Sequence, residues 1–185
     1  AVGHAEREGE DATETGDPMN RRARIDLTQE DVKAAYHYDL NTGVFTPVRT
    51  NKFNPGKGGS HSSRWGYLIL RIDGAYYKAH RLAWLYVHGR WPKELLDHAN
   101  GDPKDNRLIN LREATRCQNS RNMKSNNKAG LKGITYSKRR KRWVAQIRIA
   151  PGERRFLGYH ATPEEAHAAY VEAAKKHHGE FARLA

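Results

Sequence analysis

The chain has one cysteine, Cys117, in 185 residues. An internal disulfide and any multi-cysteine zinc site are excluded, and the composition suits a reducing compartment. It has no run of eighteen apolar residues, and its first residues lack the basic-then-apolar layout of a secretory signal. A soluble cytoplasmic protein with no membrane partner is expected. Acids are in short supply: 21 Asp and Glu stand against 33 Lys and Arg, for a net charge of +12. That excess points to a polyanionic partner. No aromatic-rich RNA motif appears, which favours duplex DNA over RNA.

The acid that is present is concentrated at one end. The first twenty residues hold six acids (Glu6, Glu8, Glu10, Asp11, Glu14, Asp17) and one base, Arg7, a net of −5 that leaves +17 for residues 21–185. Residues 1–24 show no apolar periodicity and read as a disordered acidic leader. Residues 25–123 read as one domain, 124–132 (KSNNKAGLK) as a polar basic linker, and 133–185 as a second domain.

In the first domain, Thr28 caps a short helix to about Tyr36. Asn41-Thr42-Gly43 turns into a brief strand at Val44-Phe45-Thr46, and residues 50–63 (TNKFNPGKGGSHSS) read as a loop. Residues 67–72 and 75–78 flank Asp73-Gly74, a left-handed hairpin turn. Residues 81–87 then form a helix stopped by Gly89, with Leu82, Leu85 and Tyr86 on one face. Thr115 and Gln118 make a capping box, so a helix starts there and carries Asn119 in its first turns.

Candidate chemistry lies between Asp97 and Asn119. Hydrolysis of a phosphodiester near neutral pH needs an activated water and charge stabilisation at the phosphate and leaving oxygen. His98 is a natural base. Asp97 and the amide oxygen of Asn119 suit a magnesium-like ion, which takes oxygen ligands and keeps positions open for water and phosphate. Neighbouring strand residues point to opposite faces, so Asp97 and His98 can share a site only if the strand ends there; Ala99-Asn100-Gly101-Asp102-Pro103 supplies that break. Asp102, Asp105 and Asn106 read as turn formers, His80 and His88 as structural or phosphate-facing, and Cys117 as a small buried helix residue.

The stretch LLDHANGDPKDNRLINLREATRCQNSRN resembles the HNH nuclease motif in the His-Asn-Asn variant of phage and intron-encoded homing endonucleases. The lead-in Ala79-His80-Arg81-Leu82-Ala83 is similar to that of phage members, and the likeness spans about residues 65–123. The resemblance implies an α+β fold with a ββα-metal centre, in which His98 is the general base and Asn110 fixes the loop and the histidine. Asp97 and Asn119 would hold one divalent ion, with Asn122 as the alternative to Asn119. A neutral amide in the last position favours Mg²⁺ or Mn²⁺ over Zn²⁺. Relatives that brace this motif with cysteine-bound zinc differ from this chain, which has no structural zinc.

The second domain reads as three strands, at about 133–137, 142–149 and 153–159, followed by a helix that opens at Thr162-Pro163-Glu164-Glu165. Ala166, Ala169, Tyr170, Ala173 and Ala174 form its apolar stripe. Along the middle strand Trp143, Ala145 and Ile147 alternate with Val144, Gln146 and Arg148. The segment GITYSKRRKRWVAQIRIAPGERRFLGYHATPEEAHAAYVEAAKKHHG resembles the plant ethylene-response-factor (APETALA-type) DNA-binding domain, a small three-stranded antiparallel sheet packed on one helix. That likeness implies Thr135, Arg140, Trp143, Gln146, Arg148 and Phe156 near DNA. For Trp143, strand alternation and resemblance disagree. Arg139 and Arg142 complete a basic turn suited to phosphates.

Together these features lead to a DNA endonuclease of phage or homing type, acting in a phage-infected cell with one Mg²⁺ or Mn²⁺ per site. A single centre would nick, and a homodimer could break both strands. The alternative is a non-catalytic DNA-binding protein with a decayed HNH centre.

Overall fold

The computed structural model describes residues 26–49, 61–62, 66–125, 127 and 129–184; the acidic leader and most of the segment 50–63 lie outside the described residues. Thr28 opens α1 (Gln29–Ala35) with a full capping box: its hydroxyl accepts from the Asp31 N–H, and the Asp31 side chain accepts from the Thr28 N–H. The helix stops at Ala35, and Tyr36 starts a strand instead. Tyr36 and Tyr38 alternate into the core around exposed His37, a period-2 pattern that a helix cannot bury. This strand, β1 (Tyr36–Tyr38), pairs antiparallel with β2 (Phe45–Pro47).

His61–Ser62, expected within a loop, forms a short strand β3 beside β4 (Leu68–Ile72), which pairs in turn with β5 (Ala75–Lys78). Asp73 and Gly74 take φ of 48° and 83°, the two left-handed residues that a tight hairpin of this hand requires. The helix α2 (Ala79–His88) follows without a break and ends at left-handed Gly89. Leu82 and Leu85 are buried as the periodicity requires, with Val32, Leu70 and Ile72 in the same core. Tyr86 is half-buried against that core.

Two further strands, β6 (Leu95–His98) and β7 (Leu111–Ala114), form an antiparallel pair in the register Asp97 to Arg112 and His98 to Leu111. Thr115 then caps α3 (Arg116–Asn122) with the expected capping box. Beyond it, β8 (Ile134–Ser137), β9 (Arg142–Ala150) and β10 (Glu153–His160) form a sheet in the order β10-β9-β8. The helix α4 (Pro163–His178) lies against it, burying Ala166, Tyr170 and Ala174. Gly133 leads into β8 at φ +79°, where a Cβ would run into the Tyr170 ring. The architecture is thus mixed α and β, with small antiparallel sheets.

Segment 124–132 is tied at both ends. Lys132 Nζ donates to the carbonyls of Arg121 and Met123, and Asn127 Nδ2 donates to the Leu131 and Ile134 carbonyls. Burial of the Lys132 ammonium lowers its pKa to about 8. Among the described residues no helix is long and apolar enough to cross a membrane.

Candidate active site

Strand β6 ends at His98, and the chain reverses at once: the Gly101 N–H donates to the His98 carbonyl at 2.7 Å. That termination lets consecutive residues reach one space. Asp97, His98, Asn119 and Asn122 all line a single cavity of about 400 Å³, with Tyr67, Lys78, Lys124 and Arg183 on its walls. Asp97 and His98 are each only 5% exposed, so both need partners for their polar atoms.

Asp97 sits opposite Arg112 across the strand pair, and Arg112 Nε and Nη2 donate to Asp97 Oδ2 at 3.0 and 2.8 Å. Asn122 Nδ2 reaches both carboxylate oxygens at 3.0 Å and the His98 carbonyl at 2.7 Å. Asn122 therefore presents its amide donor to the carboxylate rather than an oxygen to an ion. Among the described residues Asp97 Oδ1 accepts only from Asn122, which leaves it lone-pair capacity for a cation. Asn119, one helical turn before Met123, is half-buried in the same cavity. Among the described residues no three His, Cys, Asp or Glu side chains cluster to hold a metal. An ion here would rest on the Asp97 carboxylate and the Asn119 amide, a sparse set of hard oxygen donors open to a divalent cation.

His98 is oriented by a residue that the sequence suggested only as a turn former. Asn106 is 1% exposed, and its Oδ1 lies 3.3 Å from His98 Nε2. The Asn106 amide cannot be reversed without losing the bond from its Nδ2 to the Lys104 carbonyl. An oxygen facing Nε2 makes that nitrogen the N–H, so Nδ1 carries the lone pair of the neutral ring. Burial lowers the His98 pKa, opposed by the Asn106 hydrogen bond and the Asp97 charge. Asn106 is itself held from behind. Tyr38 Oη donates to its carbonyl at 2.7 Å, and a Cβ on Gly43 would lie 2.5 Å from the Arg107 nitrogen. The β1–β2 hairpin is thus the platform under the histidine loop.

Asn110 does not line the cavity; it spans the loop behind it. Its Oδ1 accepts from the Asn100 N–H at 2.9 Å, its Nδ2 donates to the Asp105 carbonyl at 2.8 Å, and its own carbonyl accepts from Ala99. Asp105, paired with Arg107, has its pKa lowered to about 2 and also accepts from Asn100. Arg112 carried no expected role in the sequence, and Asn106 only that of a turn former. Arg112 was findable, since pairing Asp97 with the Ile-Asn-Leu-Arg strand puts it directly across; Asn106 carried no comparable signal.

His80 packs its ring on His98 at 5.0 Å between centroids. Its buried Nδ1 meets no hydrogen-bond partner among the described residues, and burial drives its pKa well below the usual 6.5. A base with a depressed folded pKa stays neutral in the fold while the unfolded chain takes up the proton. Stability is therefore complete above pH 6.5 and declines below it by about 1.4 kcal/mol per pH unit for this one group. Denaturant melts between pH 7.5 and 5.5 should give His80→Gln a shallower decline than the parent by about that amount; parallel slopes would refute the buried neutral state.

In the C-terminal sheet Thr135 and Arg148 are exposed and Gln146 half-exposed, and Phe156 pairs with Gln146 across β9–β10 while 56% exposed. These residues share the sheet face away from α4. Arg139, Arg140 and Arg142 are exposed around the β8–β9 turn, with the Arg140 guanidinium over the Tyr159 ring. Trp143 is different: it packs with Ile134, Ala145 and Ala166 on the helix side and meets the Tyr136 ring edge-on at 5.2 Å. Strand alternation decides its direction: Trp143 lies on the opposite face from Thr135, Gln146 and Arg148. Thr135, Gln146 and Arg148 line a second cavity of about 720 Å³ together with Arg116 and Arg121 of α3.

A strand pair and helix that gather an aspartate, a histidine and an asparagine around one basic cleft define a class: residues 77–121 match the family model of HNH endonucleases. The chain belongs to the same family as protein 3.8 of Escherichia phage T7, to which it is 34% identical over 115 residues, 59% of this chain and 93% of the phage protein. No solved structure matches it. Neither match carries the likeness of the C-terminal sheet to the plant DNA-binding domain.

Proposed function

We propose that the protein is a metal-dependent DNA endonuclease with a ββα-metal centre that nicks duplex DNA. The observation that carries this reading is the His98–Asn106 contact at 3.3 Å, which supports Nδ1 as the base, with His98, Asp97 and Asn119 lining one cavity. His98 takes the proton of a water that attacks phosphorus in line, and Asn110 keeps the loop beneath it from collapsing. Lys78 and Lys124 on the cavity wall supply positive potential for the phosphate. Asp97 and Asn119 would hold a divalent ion, which when bound would supply charge stabilisation to the phosphate and its leaving group. The products are a 5′-phosphate and a 3′-hydroxyl. One centre per chain cuts one strand per event, and the reading needs no second copy.

The C-terminal sheet serves as the duplex-binding surface, in the manner of the plant-type domain it resembles. Thr135, Gln146, Arg148 and Phe156 face the groove, and Arg139, Arg140 and Arg142 face phosphates. Supercoiled plasmid incubated with Mg²⁺ or Mn²⁺ should convert to open circles and should stay supercoiled in EDTA. His98→Ala is expected to slow nicking by about 10²- to 10⁴-fold with duplex affinity retained. Intact binding without any cleavage by the parent protein would instead favour a DNA-binding protein with a decayed centre.

A further inference from the structure

The last residues of the chain return to the nuclease cleft. After α4, a 3-10 turn (Gly179–Phe181) brings the tail against β7. Arg112 Nη1 donates to the Glu180 carbonyl at 2.8 Å, and the Arg112 guanidinium sits 3.9 Å over the Phe181 ring, which is 6% exposed. The residue that already neutralises Asp97 is therefore also the anchor of the C-terminal tail. Two residues further on, Arg183 Nη1 donates to the Asn122 carbonyl at 3.3 Å and lines the cavity with Asp97, His98 and Asn119. Gly101, in the turn that follows His98, leaves the space: a Cβ there would run into the Arg183 guanidinium.

We propose that Arg183 is a phosphate-binding residue of the cleft, contributed by the C-terminal module, that engages the DNA backbone at or beside the scissile position. The proposal rests on the nuclease reading for its substrate. Lys78 and Lys124 are point charges on the same wall, whereas a planar guanidinium fork can take two phosphate oxygens at once and fix their orientation. The anchoring of the tail by Arg112 places that fork against the turn that follows the base. It also makes the centre composite: the module that binds the duplex contributes a side chain to the site that cuts it.

The test compares the full-length protein with Arg183→Gln, Arg183→Lys and the surface control Lys176→Gln. Affinity for a labelled duplex is measured in EDTA across a salt series, and nicking is measured in Mg²⁺. Losing one phosphate contact should reduce the slope of log K against log salt by about 0.9 in Arg183→Gln, with the slope restored in Arg183→Lys. Nicking by Arg183→Gln should fall at least about tenfold at an unchanged thermal midpoint. An unaltered slope and nicking rate in Arg183→Gln would overturn the proposal, as would a lowered midpoint with an unaltered slope, which marks a purely structural cap on α3. A parent protein that binds without nicking, together with a reduced slope in Arg183→Gln, would sink the nuclease reading and leave the phosphate contact standing.

Discussion

Asn106→Leu is expected to lower the nicking rate by about 10²-fold at unchanged KM, because it removes the acceptor that fixes the His98 tautomer. Leu keeps the branched shape at a larger volume and drops the Nδ2 bond to the Lys104 carbonyl, while the Tyr38 hydroxyl still holds the loop through the backbone carbonyl of residue 106. What is lost is the oxygen 3.3 Å from Nε2. Without it the proton can sit on either nitrogen, and part of the population presents N–H where a lone pair is needed. The readout specific to this cause is the ¹⁵N spectrum of His98: one tautomer, protonated at Nε2, in the parent and a mixture in Asn106→Leu. A parent-like rate with a parent-like spectrum would show that Asn106 only shapes the turn.

The second large effect is at Asp97. Asp97→Ala leaves the Arg112 guanidinium, with a side chain only 19% exposed, facing an emptied position, and the Asn122 amide loses two acceptors. Breaking a buried pair from one side costs about 3–5 kcal/mol, so Asp97→Ala should lower the denaturation midpoint strongly as well as abolish nicking. The double variant Asp97→Ala with Arg112→Met separates the two consequences. It removes the orphaned charge and should recover part of the stability while nicking stays absent. Recovery of nicking in the double variant would mean that the carboxylate serves the fold and not the chemistry.

Local signals were legible in the sequence wherever a short-range rule governs. The caps at Thr28, Thr115 and Thr162, the Asp73-Gly74 turn and the three C-terminal strands all lie within a residue or two of their expected places. The caps and the turn depend on hydrogen bonds or dihedrals set by residues at most four apart, and the strands pair with their neighbours along the chain, as Ile134 with Ala145 and His160 with Trp143. Errors arose where distant packing decides. Tyr36 leaves the helix because the core takes Tyr36 and Tyr38 on one side of a strand, and His61–Ser62 becomes a strand because β4 offers it an edge. Trp143 shows the opposite case: alternation, a local rule, gave its direction, onto the helix side of the sheet.

The sequence by itself determined the charge of the partner, the ordering of the elements, and the candidate base and ligands, since these follow from composition, short-range periodicity and side-chain chemistry. The tertiary structure alone decided that Asn106 Oδ1 meets His98 Nε2, that Asn122 donates to Asp97, that Arg112 joins Asp97 to the tail, and that Arg183 enters the cleft. Those contacts join residues 8 to 68 positions apart, and no local rule fixes the direction of a side chain relative to a segment that distant. Only the packed arrangement of hairpin, strand pair and C-terminal tail, held by burial and by the need to satisfy buried polar groups, sets them.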